Sequence, residues 1–477
     1  MKWCIIVNGA PFLTEFLGKV SSVLLEQGDE CVLVFSSKLA EFREAQYYPK
    51  RARFVSEIDW CQKYYDASRK DYGNLTWREL FPDFDRAGSW PWGYKKSARY
   101  LAQQYQFFKE FFQQERPDAV LFEPPSGGAA QPASFVCAEY GIPYLGIIDS
   151  RITGHLDVLD AHFDNWMYQE VFRALSVTGI PPKEREFVEH FIQGFLSHEK
   201  LPSYLGVGKI RFGIFTYVLH YLERVKEIGG PLLRYFKGRR RFKDVDFESE
   251  LRVRVALRAP WNLAFRQMRI ARQKQLYQSL NPQDDYYVFP LHLQPEATTL
   301  VQAMPYVNQA SVIQSIAFSL PFPCKLYVKE HPYAVGTKPD TFYEEIRRIP
   351  NVKLIAPNEN MQELIENSQG VITLTGTVGL EAALAGKPAY ILGDVFYDYH
   401  PLCRKLKNVD ELQGYILRDR EAGVSQGDLR EQNVRFLISY IRNIIPGTTT
   451  LARAEKDTND YQLIAAELRR VAQRRHE

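Results

Sequence analysis

The chain has 477 residues, of which 45% are hydrophobic and 25% charged, and its formal net charge is +3 at pH 7. This length predicts two or three domains, and the composition is typical of a globular protein. A net charge this small does not indicate a nucleic-acid partner, and none is expected.

Six cysteines are scattered along the chain without CxxC spacing, and several lie in apolar runs typical of buried strands. Reduced core cysteines are therefore expected, which favours a cytoplasmic location. No run of 18 apolar residues is present, so no transmembrane helix is predicted. The apolar run after Lys2 is too short for a signal peptide and predicts a first β-strand.

Residues 1–154 predict a first Rossmann-like domain. Apolar runs typical of buried strands alternate with helical spacing, and a strand–helix–strand unit with short links indicates a parallel sheet. The predicted strands cover residues 3–7, 31–35, 119–122 and 143–148. Helices and loops are expected between residues 37 and 115. The turn at Gly9 lacks the GxGxxG pattern of dinucleotide-binding domains.

Residues 155–282 break this alternation and predict a mostly helical, basic insertion. From Arg234 to Lys274 there are thirteen Lys or Arg residues against four acids, most densely at Arg239, Arg240 and Arg241. This charge makes the segment a candidate for peripheral contact with the inner membrane or with a polyanionic glycan. A solvated helical face explains the same pattern and is the more common case.

The alternation returns in residues 283–405, which predict a second Rossmann-like domain. Its predicted strands cover residues 286–289, 325–328, 352–355, 370–374 and 388–392. Residues 406–477 predict a charged helical tail that packs back across both domains. The predicted fold class is α/β, with two Rossmann-like doubly wound domains, a GT-B-like architecture and a helical insertion.

Polar loops follow the strands of the second domain, at the sheet edge where open α/β proteins bind ligands. The run Thr375-Gly376-Thr377 opens a helix directly after a strand, and such a helix start favours phosphate. Glu381, in the first turn of that helix, is a candidate acceptor of hydrogen bonds from ribose. Helix capping by Thr375 or Thr377, with Glu381 complementing the helix dipole, explains the same residues.

Two further loops complete this predicted site. Lys329, Glu330, His331 and Pro332 follow one strand, where His331 would donate to a phosphate and Pro332 would fix the loop. The preceding strand ends in a loop that carries His292 and Gln294. A histidine beside a proline is more often a turn or packing residue, but two anion-suited loops at strand ends together favour nucleotide binding.

Residues 289–398 resemble the capsule polysaccharide biosynthesis family, which includes Kdo-transferase-like GT-B glycosyltransferases. The matching runs are Pro290 to Glu296, Lys329 to Pro332, Thr375 to Glu381, and Gly386 to Pro388. In related sialyl- and Kdo-transferases, a His-Pro loop and a Ser/Thr loop bind the phosphate of a CMP-sugar. The resemblance implies this role for His331, Pro332, Thr375 and Thr377.

The resemblance implies a glycosyltransferase of capsule or other bacterial surface polysaccharide synthesis. It would move a sugar from a nucleotide-activated donor, such as CMP-Kdo, to a glycan or glycolipid acceptor. The nucleotide-sugar is then a co-substrate, and no separate cofactor is expected. No metal-ligand spacing or DxD motif stands beside a predicted strand end, so a metal-independent reaction is predicted. The expected location is the cytoplasm, with or without membrane association.

The first domain should supply the acceptor site and the catalytic carboxylate. Glu123 and Asp149 both follow predicted strands, and either suits a general base or a nucleophile. His155 is a weaker candidate. Purely structural roles also fit, with Glu123 starting a Pro-rich turn and Asp149 capping a loop with Ser150.

Three other functions fit the same sequence. A polyol-phosphate transferase of the teichoic-acid type uses a similar pair of loops, and a sugar-nucleotide epimerase has a comparable Gly loop and Glu. A non-catalytic carbohydrate-binding or export-coupling protein would keep the fold without turnover.

Overall fold

A computed structural model of the protein describes residues 1–8, 11–69, 71–86, 92–160, 165–196, 229–238, 240–242, 244–422, 426–449 and 457–475. The chain divides into two compact units. The first contains residues 1–162, 201–256 and 444–477, and the second contains residues 163–200 and 257–443.

Each unit contains one β-sheet flanked by helices. The strands in chain order are β1 (Lys2–Val7), β2 (Glu30–Phe35), β3 (Arg53–Ser56), β4 (Ala119–Phe122), β5 (Tyr144–Asp149), β6 (His155–Leu159), β7 (Tyr286–Pro290), β8 (Lys325–Lys329), β9 (Val352–Ile355), β10 (Gly370–Thr373), β11 (Ala389–Ile391), β12 (Cys403–Lys405) and β13 (Ile445–Pro446). The helices are Pro11–Glu26, Lys38–Glu44, Glu57–Tyr64, Phe81–Arg86, Tyr94–Glu115, Ala130–Tyr140, Trp166–Thr178, Pro182–Leu196, Phe247–Gln273, Ala297–Leu300, Gln309–Ser319, Asp340–Arg347, Met361–Glu366, Val378–Leu384, Leu412–Ala422, Gln426–Ile441 and Tyr461–Arg474.

The sheet of the first unit has the order β13–β6–β5–β4–β1–β2–β3. The strands β1 to β5 pair in parallel, and their apolar runs are buried because helices cover both faces of such sheets. The strands β6 and β13 extend the sheet in antiparallel pairs. The strand order reverses between β1 and β4, so the switch point of this sheet lies beyond the ends of these two strands.

The sheet of the second unit has the order β12–β11–β10–β7–β8–β9, and all its neighbours pair in parallel. Counted from its first strand, β7, this is the 3-2-1-4-5-6 order of dinucleotide-binding Rossmann folds. Tyr286 and Val288 belong to one buried cluster, while Tyr287 and Phe289 belong to another. Because side chains alternate along a strand, these clusters cover opposite faces of the sheet.

The predicted fold class is confirmed, since two largely parallel sheets alternate with helices as expected. The strands missed by the sequence pattern are β3, β6, β12 and β13. The first of these, β3, is an edge strand with exposed residues at its start, so it carries no apolar run. The predicted mostly helical insertion also contains β6, whose short polar-interrupted sequence gave no strand signal.

The division of the chain differs from the expected boundaries at 154, 282 and 405. Residues 155–282, expected to be one insertion, are shared between both units. The expected tail is also divided, because residues 406–443 belong to the second unit and residues 444–477 to the first. All six cysteines are buried and free. In the described part of the chain, every helix is too short or too polar to cross a membrane.

Candidate functional site

The candidate site lies at the carboxyl edge of the sheet in the second unit. Because the strands are parallel, the loops that follow β10, β7, β8 and β9 all emerge at this edge, side by side. Strand order reverses between β7 and β10, and open α/β sheets bind ligands at such a switch point. The structure therefore brings the three predicted loops together, and the loop after β9 lies beside them.

His292, in the loop after β7, connects that loop to the one after β10. Its Nε2 accepts hydrogen bonds from the Thr375 amide and the Thr373 hydroxyl, each at 3.2 Å. The backbone of His292 is held by Gln309, whose side-chain amide bonds its N–H at 2.9 Å and its carbonyl at 3.1 Å. Gln309 also donates to the Gln294 side chain at 3.3 Å.

The His292 ring is neutral and has a defined tautomer. Its pKa is lowered to about 3, mainly by burial, with smaller contributions from the neighbouring His331 and Lys338. Because Nε2 is an acceptor, the proton of the neutral ring lies on Nδ1. That buried Nδ1 has no hydrogen-bond partner among the described residues, so the site contains an unsatisfied donor.

The loop after β10 approaches His292 closely, which requires a glycine. A Cβ at Gly376 would lie 2.9 Å from the Thr373 Oγ1 and 3.3 Å from the His292 Nε2. The Gly376 amide donates to that same Thr373 hydroxyl at 3.0 Å. The amides of Thr375 and Gly376 are thus already occupied and do not remain available for a phosphate.

The two threonines of this loop have different roles. The Thr375 hydroxyl donates to the carbonyl of Thr298 at 3.1 Å. Thr377 is the N-cap residue of the helix Val378–Leu384 but makes no side-chain capping bond. The Thr375 hydroxyl is therefore engaged within the protein, whereas the Thr377 hydroxyl makes no capping hydrogen bond.

Glu330, in the loop after β8, anchors that loop. It is fully buried, and it accepts hydrogen bonds from the His331 amide at 2.7 Å and from the Lys338 ammonium at 3.1 Å. The Tyr343 hydroxyl also donates to it. A buried carboxylate with this many partners is structural, because its charge is matched inside the protein.

His331 caps the short 3₁₀ turn Pro332–Ala334, with its Nδ1 accepting the Tyr333 amide at 3.2 Å. The neutral ring therefore carries its proton on Nε2. Burial lowers the pKa of His331, as do Lys338 and Lys329, while the Glu330 charge opposes this shift. At neutral pH, His331 is a hydrogen-bond donor through Nε2 without a full charge.

Lys329 is a buried cation at the end of β8. Its ammonium donates to the Pro357 carbonyl at 3.0 Å, which links this loop to the one after β9. Burial lowers the pKa of Lys329 to about 8, against the opposing charges of Glu330, Glu359 and Glu381. Glu381 is itself buried, in the helix that follows Thr377. This edge thus places a buried lysine, whose pKa is lowered, near several carboxylates.

The helix Phe247–Gln273 holds the His331 loop from outside. The Arg266 guanidinium donates to the carbonyls of Tyr333 and Val335, each at 2.8 Å. Because the Tyr333 amide bonds His331, Arg266 is connected to the imidazole through one residue. Gly336 has φ +75°, and a Cβ there would lie 2.7 Å from the Arg266 carbonyl. Sequence reasoning missed Arg266, since a bond to a backbone carbonyl leaves no motif.

Of the two predicted catalytic acids, Glu123 lies at the switch point of the first unit. Its Oε1 accepts hydrogen bonds from Asn8, at the end of β1, at 3.3 Å and from Ser126 at 2.7 Å. The Tyr144 hydroxyl bonds its carbonyl at 2.7 Å. Asn8 and Ser126 are neutral donors that orient the carboxylate, and the guanidinium of Arg252 is a nearby positive charge.

Asp149 is placed differently, where the chain turns from β5 into the antiparallel β6. Its Oδ1 accepts three hydrogen bonds, from the Thr449 amide at 2.7 Å and from the Thr448 and Thr449 hydroxyls at 3.2 and 3.1 Å. These contacts fix the returning C-terminal segment. His155 contacts the Thr153 carbonyl at 3.2 Å through Nδ1. These interactions favour structural roles for Asp149 and His155.

Other buried acids lie in the first unit. Asp246 accepts hydrogen bonds from the Lys38 amide at 3.0 Å and the Ser249 amide at 3.1 Å, and burial raises its pKa to about 6. Burial also raises the pKa of Glu57, and the charges of Glu248 and Asp246 raise it further. In the described ranges, no group of three or more His, Cys, Asp or Glu residues has metal-binding geometry.

The fold and this edge define an α/β protein whose second unit has the strand order of nucleotide-binding Rossmann domains. Residues 255–442 match the model of a family described as capsule polysaccharide biosynthesis protein. The resemblance predicted from the motifs is therefore confirmed for this segment, which contains all four loops of the site.

Comparisons with individual proteins give more distant similarity. Over 118 residues the chain is 30% identical to Protein FixF of Sinorhizobium fredii (strain NBRC 101917 / NGR234), a match that covers 24% of this chain and 26% of that protein. The chain thus spans about a quarter of the length of this curated relative.

Solved structures with similarity include the beta Kdo 2,7 transferase of Thermosulfurimonas dismutans KpsC. It is 14% identical with a TM-score of 0.35, over 70% of this chain and 80% of that one. The UDP-GlcNAc 2-epimerase of Neisseria meningitidis is 12% identical with a TM-score of 0.23, over 98% and 100%.

Proposed function

We propose that this chain is a glycosyltransferase of capsule or other bacterial surface polysaccharide synthesis. The observation that carries this proposal is the convergence of His292, His331 and the 375–377 loop at the switch point of a parallel sheet. The family match covers this whole edge. Such an edge suits the phosphate and ribose of a nucleotide.

The proposed donor is a nucleotide-activated sugar, and more specifically a cytidylate-linked one such as CMP-Kdo. Its phosphate would accept hydrogen bonds from the Nε2–H of His331 and the hydroxyl of Thr377. Lys329 adds positive potential at the same loop. Because these groups stabilise the charge of the leaving phosphate, we propose a reaction that needs no metal ion.

The proposed acceptor is a hydroxyl group of a glycan or glycolipid, and Glu123 is the proposed general base. The acceptor oxygen attacks the anomeric carbon, and its proton passes to the Glu123 carboxylate. The bond from that carbon to the phosphate oxygen breaks, and the nucleotide leaves with the electron pair. Neutral hydrogen bonds from Asn8 and Ser126 keep Glu123 oriented for this transfer.

Thermal-shift and calorimetric titrations with CMP-, UDP- and GDP-sugars test the donor, because a ligand of the folded state raises the Tm. Turnover assays with oligosaccharide acceptors, with and without EDTA, then test transfer. We expect binding of a CMP-sugar and EDTA-resistant transfer. Protein that neither binds nor hydrolyses any nucleotide-sugar contradicts the proposal.

Other results would identify the competing functions. Epimerisation of a UDP-sugar without an acceptor indicates an epimerase, and transfer of a polyol phosphate indicates a teichoic-acid type enzyme. Nucleotide-sugar binding without any turnover indicates a non-catalytic binding or export-coupling protein.

A further inference from the structure

The basic segment from Arg234 to Lys274 is helical over most of its described residues. Arg239 lies outside the described residues, whereas Arg240 and Arg241 are exposed. Most of the segment is the helix Phe247–Gln273, which holds the His331 loop. From residue 251 to residue 283 the sequence contains seven Lys or Arg residues and no acid.

One face of this helix is apolar and exposed. Leu257 and Trp261 are each 70% exposed, Phe265 is 53% exposed and Met268 is 56% exposed. The spacings of four, four and three residues place these side chains in one row. At 1.5 Å per residue, the row is about 16 Å long. We call these four residues the apolar row.

The opposite face of the helix is occupied. Arg266 and Gln273 donate to carbonyls of the 333–340 loop, and Ile270 packs against Gly336. At 100° per residue, Arg266, Ile270 and Gln273 point about 120–180° away from Trp261. The exposure of the apolar row therefore follows from how residues 257–273 of this helix are fixed in the second unit.

Arginines surround the apolar row. Arg254 and Arg272 continue it at its two ends, where Arg272 pairs with Asp340, and Arg258 lies beside it on the helical wheel, about 60° from Trp261. A row of Leu, Trp, Phe and Met bordered by cations matches helices that lie in the headgroup region of a membrane. Trp prefers this depth, and long basic side chains reach the phosphates from it.

We propose that the face of the helix that carries the apolar row docks on an anionic phospholipid surface. The four side chains together expose roughly 450 Å². A stable protein interface buries about 800 Å² on each partner, so this row alone is small for a dimer contact. It is sufficient for an interfacial helix, because cations and anionic headgroups add attraction. This proposal does not depend on the proposed enzymatic activity.

The test is flotation of the full-length protein with vesicles of phosphatidylglycerol and phosphatidylcholine, compared with phosphatidylcholine alone. We expect binding to the anionic vesicles that weakens as salt rises. The double variant Trp261→Ser, Phe265→Ser should lower the partition coefficient about tenfold or more. Arg258→Gln should lower it roughly fivefold at low salt.

Matched controls separate docking from general effects. Phe318→Ser removes another exposed aromatic side chain of the same unit, and Arg418→Gln removes another exposed cation. Neither should change vesicle binding. An unchanged Tm in all variants shows that the fold is intact.

Three results would overturn the proposal. They are no binding of the wild type to anionic vesicles, equal binding of the double variant, and a concentration-dependent dimer that the double variant abolishes. The last result would assign the row to a second copy of the chain instead. Nucleotide-sugar binding, measured in parallel, reports separately on the proposed function.

Discussion

The two sheets share the strand order 3-2-1-4-5, yet their switch points differ in charge. In the first unit, Glu123 contacts Asn8 beyond β4 and β1, and the buried Asp246 accepts a hydrogen bond from the Lys38 amide, in the helix that follows β2. In the second unit, His292 meets Thr375 beyond β7 and β10, beside a loop that carries two lysines and His331.

This difference indicates how one topology can serve two kinds of ligand. Imidazole and ammonium groups stabilise anions, whereas a carboxylate accepts hydrogen bonds and protons from hydroxyl groups. The second edge therefore suits a nucleotide phosphate, and the first suits an acceptor hydroxyl. At the second edge, Glu330 forms an ion pair with Lys338, whereas Glu123 accepts hydrogen bonds from neutral donors and has the cation Arg252 nearby.

Loss of the Glu123 carboxylate should have the largest effect. Glu123→Gln keeps an oxygen for Asn8 and Ser126 but removes the base, so kcat should fall about 10²- to 10⁴-fold. The affinity for the nucleotide-sugar should not change. Steady-state kinetics and calorimetry measure the two quantities.

Asp149→Asn is the matched control, because it changes the other strand-end carboxylate of the same sheet. It weakens the contacts to Thr448 and Thr449 and should lower the free energy of unfolding by about 1–2 kcal/mol. Turnover should persist. If Glu123→Gln keeps more than a tenth of the wild-type kcat, Glu123 is not the general base. The first edge then does not have the role proposed for it.

The His331 imidazole should have the next largest effect. His331→Asn retains an oxygen that can cap Tyr333, as Nδ1 does now, but removes the Nε2–H. Nucleotide-sugar affinity should fall roughly tenfold while the Tm changes little. If His331 only shapes the turn, His331→Asn will bind like the wild type and only His331→Ala will lose affinity.

The sequence predicted the parts of the site that depend on local patterns. Buried parallel strands such as β7 and β8 are apolar runs, and the polar residues that follow them mark the sheet edge. The junction at His292 was not predictable in detail, because its partner Thr373 lies within an apolar strand and reads as a core residue.

Hydrogen bonds between the site and residues distant in the sequence were also not predictable. Arg266 bonds carbonyl groups 67 and 69 residues away, and a carbonyl acceptor imposes no residue type on its position. The basic composition of this helix suggested membrane or glycan contact for the whole segment. The structure divides these residues by helix face, with Arg266 directed to the loop and the apolar row exposed.

Arg266 should have a moderate effect that is confined to the second edge. Arg266→Met fills a similar volume but leaves the carbonyls of Tyr333 and Val335 without this donor, so the His331 loop should loosen. The KM for the donor should rise roughly fivefold, with a smaller change in kcat. Arg269→Met, which removes one bond to the Thr337 carbonyl, should have less effect. Equal changes in KM for Arg266→Met and Arg269→Met would show that Arg266 has no specific role in holding the His331 loop.

The smallest expected effect is a pH dependence from Lys329. Its pKa of about 8 means that the ammonium loses its charge as pH rises through 8. Affinity for CMP should therefore be highest below pH 8 and fall roughly three- to fivefold by pH 9.5. The phosphate of CMP is already ionised throughout this range, since its second pKa is about 6.

Stability should change in the opposite direction. The unfolded chain keeps this proton up to the ordinary lysine pKa of 10.5, whereas the folded chain releases it near 8. Between these values the unfolded state binds more protons, so the contribution of Lys329 to the free energy of unfolding rises with pH. Lys329→Met should remove both trends in calorimetry and urea unfolding. If CMP affinity of the Lys329→Met variant still falls as pH rises, another group titrates. Lys329 then does not contribute to CMP binding in the way its burial suggests.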